Sequence, residues 1–219
     1  MKQTLKIIAA ALLVPAAASC GKLDVVGSGS ASSFEKVLEL LPAAPDDGGW
    51  TITAPDGSRF FWSRDYSKSP RYDVMIEFDA APFLAAGLDP VKLPENFTVD
   101  GARIRAGAKL GGEQLRYSGE ITPLASYQQL VRLKRSSIGY HAALDHYGVN
   151  LGGGNLFEWA KDMTTNDKDI VFVLDPAPLV SAGANPAAID GWLFTKVTVD
   201  DENGKPVQVD KVLKPFDLR

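Results

Sequence analysis

Residues 78–93 read FDAAPFLAAGLDPVKL, and residues 174–189 read LDPAPLVSAGANPAAI. The landmarks align without a gap: Asp79 with Asp175, Pro82 with Pro178, Gly87 with Gly183 and Pro90 with Pro186, each pair 96 positions apart. Shared composition does not keep Asp, Pro, Gly and Pro in register, so the stretch predicts one structural unit written twice. Its chemistry predicts a capped segment. Asp79 and Asp175 can accept the first free N–H groups of a short helix, and Pro82 is tolerated in its first turn. Gly87 and Gly183 can end it in a left-handed conformation, and Asp89-Pro90 starts a further turn.

Working outward, Trp62-Ser63-Arg64-Asp65 matches Trp159-Ala160-Lys161-Asp162 at an offset of 97. Ser33 to Leu38 echoes Ser126 to Val131 at an offset of 93. Drifting offsets in preserved order are what loop insertions and deletions produce. The body is thus expected to hold two repeats, 32–122 and 123–219, packed face to face about a pseudo-two-fold axis. In the first, Ser32 and Glu35 form a capping box. Phe34, Val37, Leu38 and Leu41 then share one helical face that stops at Pro42. Strands are expected at 50–54 and 59–63, joined through Pro55-Asp56-Gly57-Ser58, and at 72–78. The second repeat predicts a longer helix over 123–147 ended by Gly148, a hairpin through Gly152-Gly153-Gly154, and strands at 170–174, 192–199 and 206–212. Meandering strands with helices to one side give an α+β fold.

The composition is that of a globular protein: 219 residues, 45% hydrophobic and 23% charged, with a net charge of −4. That balance lacks the basic footprint of a nucleic-acid binder. A single cysteine excludes an internal disulfide, and two histidines leave little material for a histidine-rich metal site.

The N-terminus supplies an address. Lys2 and Lys6 precede an apolar run from Ile7 to Ala18 that falls short of the roughly 20 residues needed to cross a bilayer. It ends in Ala17-Ala18-Ser19-Cys20-Gly21. This segment resembles the lipobox signal of bacterial lipoproteins, although Ala17 stands where that family prefers leucine. The resemblance implies cleavage after residue 19 and acylation of Cys20, which anchors the body outside the cytoplasm. With Gly21 rather than aspartate after the cysteine, it implies the periplasmic face of the outer membrane in a Gram-negative cell, and otherwise the outer face of the cell membrane. Two or more acyl chains at about 0.8 kcal/mol per buried methylene make such an anchor stable. Removing 1–19 takes away two lysines and no acid, so the net charge moves from −4 to −6, which repels anionic lipid. Residues 20–31, with Gly27-Ser28-Gly29-Ser30-Ala31, read as a flexible tether.

Chemistry is sparser. Asp79 and Asp175 could form a carboxylate pair at the seam between repeats, but both are simply explained as caps. In a helix, His141 and Asp145 would share a face at i, i+4 while His146 points elsewhere, too few ligands for zinc. Gly152-Gly153-Gly154-Asn155 lacks the lysine of a phosphate loop, and Asn96-Phe97-Thr98 is a glycosylation sequon without use in a bacterial lipoprotein. Trp62, Trp159 and Tyr140, together with Asp79 and Asp175, remain as lining for a ligand cleft between the repeats, with packing as the simpler role for the tryptophans. The expectation is a lipid-anchored protein without cofactor, metal or catalysis, binding a small ligand or an envelope partner and no nucleic acid. The alternatives are an envelope hydrolase using the seam carboxylates and a structural envelope lipoprotein.

Overall fold

The computed structural model describes residues 20–64, 66, 72–110, 121–141, 144–163, 168–200 and 205–219. Residues 1–19, the expected signal segment, lie outside them. Among the described residues the fold is α+β, with two six-stranded antiparallel sheets and four α-helices.

Helix α1 (Cys20–Leu40) is followed by β1 (Ala44–Asp46), β2 (Gly49–Thr53), β3 (Arg59–Ser63) and β4 (Val74–Asp79). Then come the short helix α2 (Ala81–Ala85), a 3-10 turn (Pro90–Lys92), β5 (Phe97–Asp100) and β6 (Arg103–Ala108). Helix α3 (Pro123–Leu133) opens the second half and leads through a 3-10 turn (Arg135–Ser137) into β7 (Ile138–His141). It continues with β8 (His146–Asn150), β9 (Leu156–Ala160), β10 (Ile170–Leu174), α4 (Pro176–Ser181) and a 3-10 turn (Pro186–Ala188). The hairpin β11 (Leu193–Asp200) and β12 (Pro206–Phe216) closes the chain. The first sheet has the order β1-β2-β3-β4-β6-β5 and the second β7-β8-β9-β10-β12-β11, the same order six strands on.

The aligned segments behave alike. Asp175 caps α4 by accepting from the Ala177 N–H at 2.8 Å. Asp79 accepts from the Ala81 N–H at 3.1 Å, one position outside the cap residue Ala80. Asp89 and Asn185 cap the following 3-10 turns. Gly87 and Gly183 carry φ of +98° and +94°, the left-handed region that favours glycine. The two segments also meet. Asp89 donates its N–H to the Ala182 carbonyl at 2.7 Å, and Asn185 donates to that of Ala86 at 2.8 Å.

The core lies where the inner sheet faces and both long helices converge. Phe60 and Phe157 stack at 4.3 Å, Phe34 and Tyr127 at 4.0 Å, and all four are fully buried or within a fraction of it. Each long helix is tied to the opposite half. The Ser33 hydroxyl of α1 donates to the Lys161 carbonyl after β9 at 2.6 Å, and the Ser126 hydroxyl of α3 donates to the Ser63 carbonyl of β3 at 2.6 Å.

Three expectations are corrected. The glycine-serine segment 27–31 is helix, not tether: Ser30 is buried with its hydroxyl bonded to that of Tyr127 at 2.6 Å, and this packing outweighs the weak helix propensity of Gly and Ser. The capping box at Ser32 is therefore inside a helix rather than at its start. The helix expected over 123–147 stops at Leu133, because Gly139, Tyr140 and His141 pair with Gly148, Tyr147 and His146 as a hairpin. The helical face holding His141 and Asp145 does not exist; Asp145 sits in the hairpin turn with φ +54°. Strands β1, β5 and β6 have no counterpart among the expected strands, although Asp100-Gly101 between β5 and β6 is hairpin turn chemistry.

Candidate functional site

The seam is filled. Trp62 and Trp159 have no exposed surface, so they are core anchors rather than cleft walls. Phe34 contacts both at centroid distances of 5.3 and 5.2 Å. The Trp62 Nε1–H donates to the Pro123 carbonyl at 3.1 Å, whereas Trp159 Nε1 meets no acceptor among the described residues. Asp79 serves the backbone of α2, and Asp175 serves α4 and an ion pair with Lys211 at 3.5 Å. Tyr140 lies on β7 away from these four: its hydroxyl bonds the Asp145 carboxylate, and Lys161 Nζ stands 5.6 Å from its ring centroid. The hydrogen bond to Asp145 and burial both raise the Tyr140 phenol above its ordinary range.

The outer faces of the two sheets differ. On the first, Glu77 is nearly buried, with Arg105 Nε at 2.7 Å, Arg59 at 3.2 Å and Arg103 at 3.9 Å. Arg59 also holds Asp46 at 2.5 Å, and Arg105 holds Asp100 at 3.1 Å. Burial pushes the Asp46 carboxyl up, but Thr51, the Asp47 N–H and Arg59 outweigh it and leave it below the usual carboxylate range. Beside this network, along the edge strand β5, a groove of about 500 Å³ is lined by Tyr72, Glu95, Thr98, Val99, Asp100 and Arg105. It opens to solvent, and its polar groups could hold a polar ligand or the backbone of an extended segment. Of its residues, Thr98 belongs to the Asn96-Phe97-Thr98 sequon and Tyr72 to the strand expected at 72–78, but neither points from the sequence to a groove. The Asp100-Gly101 turn was the available signal, since it predicts the hairpin that makes β5 an edge.

On the second sheet the outer face is apolar. Leu156, Val171, Val173, Val197, Val199 and Leu213 form a small second cluster, with Leu144, Val207 and Val209 packed against it. The long β11–β12 hairpin supplies five of these nine. Beside it lies Glu158, 1% exposed, whose two carboxylate oxygens have no hydrogen-bond partner among the described residues. Burial pushes its carboxyl up to about 8, against the pull of Lys211. His146 Nδ1 is 4.0 Å from Glu158, and Lys211 Nζ donates to the Gly154 carbonyl at 3.0 Å. A carboxylic acid kept neutral in this way is a candidate proton carrier, but its burial closes it to a substrate.

Among the described residues there is no group of three or more His, Cys, Asp or Glu side chains placed to hold a metal ion. No described helix is long and apolar enough to cross a membrane. Protein-family models, curated proteins and solved structures yield no match to this chain.

Proposed function

We propose that the chain is a lipid-anchored, extracytoplasmic binding protein with an internally duplicated body, non-catalytic, that presents the β5 groove to a polar ligand or an envelope partner. The observation that carries the reading is the course of α1. Helix α1 includes Cys20, the residue the lipobox resemblance marks for acylation, and its later turns are built into the core through Ser30, Ser33 and Phe34. An acyl anchor there is joined to the body by continuous helix. Duplication is supported by the shared strand order and by the paired contacts of Gly87 with Gly183 and Phe60 with Phe157. A binding role is supported by the open groove at Tyr72 and Arg105.

The test is expression of the full chain with and without Cys20→Ser. The parent should fractionate with membranes and carry acyl mass on Cys20, and the variant should be released. A variant that stays with the membranes refutes the anchor. Native mass spectrometry of the released body, repeated with Arg105→Ala, addresses the groove: a retained ligand that the substitution loses supports it, and one that the substitution leaves in place refutes it.

A further inference from the structure

The anchor reading leaves open which face of the body meets the lipid, and the placement of α1 narrows it. The helix packs on β9, β8 and β7. Phe34 lies against Trp159 on β9, and Gly29 lies against the Tyr147 hydroxyl on β8. The order Phe34, Gly29 runs from β9 toward β7, the edge of the second sheet, so the helix before Gly29 is directed toward that edge. Nine residues of helix separate Cys20 from Gly29, a rise of about 13 Å. Acyl chains at Cys20 therefore hold the β7 edge within a short reach of the lipid headgroups.

The residues on that edge suit the setting. Arg132 in the last turn of α3 is exposed, Lys134 follows it, and neither has an ion-pair partner among the described residues. At the other end of β7, Tyr140 is half-buried, with Lys161 over its ring and 49% exposed. Asp145 is engaged by Tyr140 and by Lys161, at 3.4 Å for the latter, and Asp162 follows Lys161 in the chain. A chain of negative net charge thus gathers basic groups and an amphipathic tyrosine at the side from which its anchor leaves. Tyrosine and lysine favour the water–lipid boundary because an apolar body and a polar tip are both accommodated there. Each basic group near an anionic surface contributes about 1 kcal/mol.

We infer that the β7 edge, with Arg132, Lys134, Tyr140 and Lys161, rests on an anionic lipid surface and fixes the orientation of the body. The inference stands on the proposed acylation of Cys20. It departs from the expectation of simple repulsion, because the net charge is negative while the charge of this edge is basic.

The acylated full-length protein, its intact mass recorded first, is placed in phosphatidylglycerol vesicles, in phosphatidylcholine vesicles and in detergent, and its lysines are labelled with an amine-reactive ester. Lys134 and Lys161 should label about fivefold more slowly on phosphatidylglycerol than in detergent, the equivalent of one basic group's attraction. Lys92 and Lys196, both well exposed on other elements, should label equally throughout. Equal labelling of Lys134 and Lys161 in acylated, vesicle-bound protein overturns this inference and leaves the anchor standing, as does equal protection on phosphatidylcholine. An intact mass without acyl chains overturns both.

Discussion

Gly87 and Gly183 confront each other: a Cβ added to Gly87 would lie 2.9 Å from the Gly183 carbonyl oxygen, and one added to Gly183 would lie 3.0 Å from that of Gly87. Each glycine also has positive φ, so two independent reasons exclude a side chain. The two capped segments can exchange hydrogen bonds through Asp89 and Asn185 because nothing projects between their backbones.

Gly87→Ala and Gly183→Ala are each expected to cost about 2–3 kcal/mol, from left-handed strain of roughly 1–2 kcal/mol plus backbone displacement. Urea unfolding of the single variants measures this. Two losses below about 0.5 kcal/mol would show that the contact yields freely.

Trp62 and Trp159 are equally buried but unequally satisfied. Trp62→Phe removes the hydrogen bond to the Pro123 carbonyl, whereas Trp159→Phe removes an N–H that has no acceptor among the described residues. Both lose packing, so the difference isolates the polar part. Trp62→Phe should be the more destabilising by about 1 kcal/mol, the net contribution of the hydrogen bond it removes. Equal losses would mean that Trp159 has an acceptor too.

Glu158 imposes a pH dependence. Its carboxyl is raised in the folded state to about 8 from an ordinary value of 4.5. Between those values the folded protein keeps a proton that the unfolded chain has released. Stability therefore falls as pH rises across this window and levels off above it. The steepest contribution is about 1.4 kcal/mol per pH unit. Glu158→Gln should flatten the fall between pH 5.5 and 7.5 in urea titrations. An unchanged slope would assign the dependence to other groups.

The crossed helices predict that neither half folds alone. A fragment of residues 20–122 lacks α3, which holds β3 through Ser126 and Trp62, and one of residues 123–219 lacks α1, which holds β9 through Ser33. Separately, each should show no cooperative urea transition; mixed, they should form a one-to-one complex with near-parent circular dichroism. Independent folding of either fragment would show that its own sheet suffices as a core.

The strands at 49–53, 59–63, 74–79 and 170–174 were legible because β-branched and aromatic residues stand between turn signals such as Asp56-Gly57. Asp79, Asp175, Gly87 and Gly183 were legible because capping and left-handed backbone depend on the residue itself and its immediate neighbours. The hairpin at Tyr140–Tyr147 was not, since Tyr140, Leu144 and Tyr147 also suit a helical face, and only their pairing across β7 and β8 decides between the two. The helical state of 27–31 was hidden as well, because it is selected by the Tyr127 hydroxyl that meets Ser30 from 97 positions away.

By itself, then, the amino-acid order determined what is local: the capped turns, most of the strands, the lipobox-like segment before Gly21 and the absence of a basic composition. Tertiary structure decided that Trp62 and Trp159 fill the seam, that Glu158 is held neutral, and that Tyr72, Asp100 and Arg105 line one groove. The reason is physical. Capping and turn formation are settled by a few adjacent dihedral angles, whereas burial, pKa and concavity depend on which distant surfaces meet.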